Sequence, residues 1–170
     1  MITSDIHMHS SFSSDSEAPM ESMILGSAAK GLKTICFTEH LDFEYPSDNN
    51  EVLFQVDFDA YTKKLFELKN KYKDVIEVLY GIEFGLIPHL ADRYRAVAKA
   101  HDFDFIIGSS HLIGGPWYKE DIEFVKEHGF APEMMRHGDP YEKEFWEGRP
   151  ADVICEAYFQ TIIDNIRAYK

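Results

Sequence analysis

Four short apolar runs in this chain each lead to a histidine or a glutamate, and that recurrence constrains the fold more than any other feature of the sequence. Residues 2–6 read as a buried strand, with His7 and His9 two apart where it ends. Residues 32–38, rich in apolar and β-branched side chains, lead straight into Glu39 and His40. Residues 75–82 terminate in Glu83, and residues 103–107 continue through Gly108, Ser109 and Ser110 to His111. Helical periods fill the intervals. Met20, Met23, Ile24 and Ala28 share a face between Pro19 and Gly31. Phe58, Tyr61, Leu65, Leu68 and Tyr72 form one apolar stripe, read as core packing. Leu90, Tyr94, Val97 and Ala98 lie on a helix that Pro88 opens and that closes near His101. Strands separated by helix-containing connections predict right-handed crossovers and a parallel α/β sheet.

All strands of such a sheet point the same way, so the loops after them gather at one face, where active sites are built. His7, His9, His40, Glu83 and His111 each fall at such an end. Period-2 geometry turns His7 and His9 to one side. Two neutral imidazoles aimed at one point, followed by Asp15 in the next loop, make the start of a divalent-metal site. Imidazole mixed with carboxylate suits Zn, Mn or Fe(II), and ligand type alone does not choose among them. Asp42, close behind His40, reads equally as a group orienting that imidazole and as a loop cap.

These residues resemble a known family. Asp5-Ile6-His7-Met8-His9-Ser10, Thr38-Glu39-His40-Leu41-Asp42, Gly81-Ile82-Glu83-Phe84-Gly85 and Ile107-Gly108-Ser109-Ser110-His111 look like the ordered metal motifs of the PHP (polymerase and histidinol phosphatase) superfamily, of the histidinol-phosphate phosphatase type. The resemblance implies the N-terminal part of a distorted (β/α)7 TIM-like barrel, with about four parallel strands and helices outside. It implies up to three divalent metals (Zn, Mn or Fe): one on His7, His9 and Glu83, a second on His111 with Glu83 bridging, and a third on Asp15 and His40. His7, His9, Glu83 and His111 then carry catalysis, in which a metal-activated hydroxide attacks the phosphorus of a small phosphorylated substrate, histidinol phosphate in histidine biosynthesis. The family continues through further strands that supply another histidine and an Asp-x-His pair. Nothing after His111 matches those, so the chain is expected to be an N-terminal piece whose site needs completing, with a homodimer as another way of covering it. A phosphoesterase acting on nucleotides or nucleic-acid ends, or a metal-binding module without turnover, are the competing expectations.

Composition narrows the partners. With 170 residues, 45% of them hydrophobic, the chain suffices for a single domain with a core. Thirty acidic residues against 17 basic ones give a formal charge of −13, which disfavours nucleic acid and anionic membranes as partners. The sequence shows no arginine-rich leader, and no apolar run approaches the roughly 20 residues that span a bilayer. A cytoplasmic location is expected. Cys36 and Cys155, in no ligand spacing, read as buried reduced thiols.

The remaining histidines receive plainer readings. His89 sits in a first helical turn and His101 at a helix end. His128 and His137 lie in residues 114–148, a polar stretch that forms either a lid or substrate-binding insert, or a surface excursion with short helices around residues 121–127 and 141–146. Residues 41–55 read as a long loop, and Pro150 starts the last helix.

Overall fold

A computed structural model describes residues 2–46, 52–115, 117, 119–129 and 137–170. Its elements alternate as the apolar pattern requires: β1 (Ser4–Met8), α1 (Met20–Ala29), β2 (Thr34–Phe37), β3 (His40–Leu41), α2 (Phe58–Lys71), β4 (Glu77–Gly85), a 3-10 turn (Pro88–Leu90), α3 (Ala91–Ala100), β5 (Phe105–Ser109), α4 (Lys119–His128), α5 (Lys143–Trp146) and α6 (Ala151–Ala168). β2 lies between β1 and β4, and β4 pairs also with β3 and β5. The pairs β1–β2, β2–β4 and β3–β4 are parallel. Asp104 N–H donates to Tyr80 O, and Leu86 N–H to Ser109 O. Partners thus advance together along β4 and β5, which makes that pair parallel too.

The register of β4 explains how the site is held. Thr34 stands opposite Glu77 and Phe37 opposite Tyr80, and the pairing resumes without slip at His40 opposite Glu83. β2 and β3 are therefore two stretches of one line along β4, interrupted at Thr38 and Glu39. Tyr61, fully buried on α2, fills the interruption: its hydroxyl donates to both Phe37 O (3.0 Å) and Gly81 O (2.9 Å). Burial pushes that hydroxyl's pKa well above the ordinary tyrosine value. Gly81 is required here, because a Cβ would stand 2.6 Å from Cys36 Sγ and 2.7 Å from Phe37 O.

The described chain forms two compact units, Met1–Phe84 with Val97–Gly108 and Gly85–Ala96 with Ser109–Lys170. The first holds the sheet core: Ile35, Cys36, Phe37, Val78, Tyr80 and Ile82 from the strands, with Ile24, Tyr61, Leu65 and Leu68 from the helices, all buried. Asp104 accepts from Tyr80 N (2.8 Å) and Lys69 Nζ (3.2 Å), which fastens the entry of β5. In the second unit Ile113, Phe145 and Ile154 form a small core against which Trp117 and Ala157 pack. There Asn165, buried on α6, donates to Leu86 O (3.0 Å) and Ser110 Oγ (2.9 Å).

Several expectations need correction. β1 is not buried: Ile2 is 82% and Ile6 46% exposed, because β1 has only β2 beside it among the described residues. Glu83 lies inside β4 rather than at its end, since β3 supplies pairing as far as Phe84. Residues 41–55 begin in β3 and are closed by Asp42 N–H to Phe54 O (2.7 Å) and Val56 N–H to His40 O (3.1 Å). The middle of that loop, residues 47–51, lies outside the described residues, as do Tyr118 and Phe130 of the 114–148 stretch. Cys36 is buried, and burial pushes its thiol up to about 12. Cys155 is exposed, on the face of α6 away from buried Ile154. Among the described residues no helix is long and apolar enough to cross a membrane.

Removing the Tyr61 hydroxyl strips two buried carbonyls of a donor. Tyr61→Phe is expected to lower unfolding free energy by about 1–2 kcal/mol, measured as a reduced urea midpoint at unchanged slope.

Candidate metal centre

His7 projects from β1, whose register with β2 shifts between Asp5 and Met8, and His9 from the residue just beyond the strand. Glu83 comes from β4, one strand further across. The three meet closely. His7 Nε2 and His9 Nε2 each lie 2.9 Å from Glu83 Oε2 and 3.0 Å from one another. Glu83 is buried and His9 nearly so, whereas the His7 side chain is 52% exposed, which leaves the cluster open on that side.

A second set adjoins it. Asp15 Oδ2 lies 3.2 Å from His9 Nδ1 and 3.5 Å from His40 Nε2, and the His9 and His40 rings meet edge to face with centroids 4.3 Å apart. His40 is directly opposite Glu83 in the parallel register, and its Nδ1 is 3.1 Å from Asp42 Oδ2. Asp42 is itself buried and held by the loop closure at Phe54. This geometry fits the orienting reading of Asp42: with the ring proton on Nδ1 donated to Asp42, Nε2 is left with its lone pair on the side of Asp15.

The donor chemistry fits cations. Ligand atoms that share a metal at about 2 Å stand about 3 Å apart, the spacing of His7, His9 and Glu83. A neutral imidazole carries one lone pair. If His9 Nδ1–H is given to Asp15, Nε2 remains for the first group, so His9 belongs with His7 and Glu83 and links them to the Asp15–His40 pair. Without a cation, the same crowding shows as a titration shift. Burial lowers the His9 pKa, but the Glu83 hydrogen bond and the charges of Asp15 and Glu83 outweigh it and hold His9 above its ordinary value.

Five of the six expected site residues thus converge within the first unit: His7, His9, Asp15, His40 and Glu83. His111 follows β5 in the second unit, partly buried, beside the Ser110 that Asn165 braces. The other histidines have structural surroundings. His101 stacks on Phe58 (4.3 Å) with Nδ1 3.1 Å from Tyr80 Oη. His89 lies 6.0 Å from His137, and His128 is exposed 4.0 Å from Glu127. Sequence reasoning passed over Glu39, whose wholly buried carboxylate accepts from Ser10 and Ser13. An acid set inside an apolar run, beside a serine-rich loop of unspent donors, was the available signal.

A sequence model of the PHP domain matches residues 5–166. A Clostridium acetobutylicum protein described as "Probable histidinol-phosphatase" is 29% identical over 98% of this chain and 53% of its own length. The Lactococcus lactis protein described as "Histidinol-phosphatase" is 33% identical over 71% of this chain and 43% of its own length. A crystal structure of the histidinol phosphate phosphatase from Lactococcus lactis, complexed with Zn, L-histidinol and phosphate, superposes with a TM-score of 0.62 at 34% identity, covering 66% of this chain and 41% of that one. This chain spans about half the length of the curated relatives it matches.

The Asp42 contact makes a tautomer prediction. Nitrogen-15 NMR of the metal-free chain is expected to find His40 protonated at Nδ1, and Asp42→Ala is expected to populate the Nε2–H form instead.

Proposed function

Because the chain belongs to the PHP domain family, we propose that it forms the N-terminal share of a metal-dependent phosphoric monoester hydrolase acting on histidinol phosphate. The observation that carries this reading is the meeting of His7 Nε2, His9 Nε2 and Glu83 Oε2 within 3.0 Å of one another. His7, His9 and Glu83 would hold one divalent cation and Asp15 and His40 another, while His111 would serve as a ligand to a further one. Zn, Mn and Fe all suit this donor set. Bound cations would supply Lewis acidity toward phosphoryl oxygens and a water made acidic enough to attack near neutral pH.

The chain's own residues prepare that chemistry. Glu83, Asp15 and Asp42 put carboxylates around the site, and alone they would repel a phosphate monoester. With cations bound that field would be reversed, so substrate affinity is expected to rise with metal occupancy. Asp42 holds the His40 ring in one orientation, and the Asp15 contact at Nδ1 leaves His9 Nε2 toward Glu83. The named activity of the relatives and the histidinol and phosphate bound by the Lactococcus lactis enzyme support the choice of substrate.

The chain's span of about half its relatives favours one further reading, a module that binds metal without turnover. Phosphate release from histidinol phosphate, with a nucleoside monophosphate in parallel, separates the two. The hydrolase reading expects release with added Zn or Mn, preference for histidinol phosphate, loss on chelation and return on metal replacement. His7→Ala with His9→Ala is expected to cut both bound metal and release by roughly a hundredfold. Metal uptake with no release from either substrate supports the module reading. Release indifferent to chelator contradicts both.

A further inference from the structure

We propose that Glu39 is a positioning residue, which fixes Asp15 against His40 and thereby sets how tightly that pair holds a divalent cation; this rests on the metal reading above. Glu39 is wholly buried, and among the described residues it has no cationic partner. Its carboxylate spends itself on one loop. Oε1 accepts from Ser10 Oγ at 2.5 Å and Oε2 from Ser13 Oγ at 2.6 Å, while Ser10 N–H points between them at 3.1 Å from each. That loop, residues 10–15, ends at Asp15.

The chemistry requires a carboxylate. Ser13 Oγ also accepts the His40 N–H at 3.0 Å, so the Ser13 hydroxyl must point its single proton at Glu39 and keep a lone pair for His40. Ser10 likewise gives its proton to Glu39. A group that only accepts can receive both, whereas an amide presents a donor to one of them. The Glu39 backbone completes the tie, its carbonyl accepting Glu83 N–H at 2.9 Å. One residue thus joins the Asp15 loop, the His40 backbone and the strand that bears Glu83. Among the described residues its carboxylate hydrogen-bonds to Ser10 and Ser13 and to no ligand side chain, so its effect on a cation passes through Asp15 and His40. The His7–His9–Glu83 group rests mainly on its strands and feels that effect less, through the contact of Asp15 with His9 Nδ1.

The test is cobalt titration of the whole chain, followed by visible absorption and by metal per chain, with His7→Ala and His40→Ala identifying which equivalent belongs to which group. Glu39→Gln is expected to weaken the His40-dependent equivalent by about tenfold or more and the His7-dependent one clearly less, moving the spectrum toward that of His40→Ala. Far-ultraviolet circular dichroism should match wild type. If Glu39→Gln does not fold, Ser13→Ala keeps the carboxylate and is expected to show the same selective weakening. Uptake indistinguishable from wild type in the folded variant overturns the proposal, as does an equal or larger weakening of the His7-dependent equivalent or a wild type with no His40-dependent one. A wild type that takes up no cobalt overturns the metal reading itself.

Discussion

Electron-pair donors do not crowd together at 3 Å unless something positive sits between or beside them, and that constraint governs this molecule. His7, His9 and Glu83 are brought to that distance by elements far apart in sequence, at the cost of desolvating the Glu83 carboxylate. A proton shared with His9 is one answer, visible in its raised pKa. A divalent cation is the stronger one, because it can satisfy all three donors at once while a proton serves two.

The sheet makes the crowding unavoidable. In a parallel pair, residues in register put their side chains on the same face, so His40 opposite Glu83 brings an imidazole beside a carboxylate by backbone geometry alone. The line of β2 has to break just before that point for Glu39 to turn away toward the serine loop. Tyr61 and Gly81 make the break tolerable: the hydroxyl satisfies the carbonyls on either side, and the missing Cβ admits the close approach of Phe37 and Cys36.

Much of this was legible in the letters. His7 and His9 stood out through period-2 spacing, and Glu83 because an acid after an apolar run is unlike the strand before it. The parallel fold followed from helical stretches separating the runs. Burial was not legible for β1, since an apolar strand reads the same at a sheet's edge as at its centre and only its neighbours decide. Glu39 stood in view within its motif, yet its contacts with Ser10 and Ser13, far off in sequence, have no periodic signature. For Asp42 the letters left two roles, and the 3.1 Å approach to His40 Nδ1 supports the orienting one.

The chain belongs to the PHP domain family and spans about half the length of the curated relatives it matches. That length contains a cluster of imidazoles and carboxylates, with Asp42 beside His40 and Glu39 bonded to the loop that ends at Asp15. The most direct test is an X-ray structure of zinc-soaked crystals with anomalous differences recorded at the zinc edge. The account predicts a peak about 2 Å from His7 Nε2, His9 Nε2 and Glu83 Oε2 together. A map with no peak among those three atoms, or with zinc held by other residues, would contradict it.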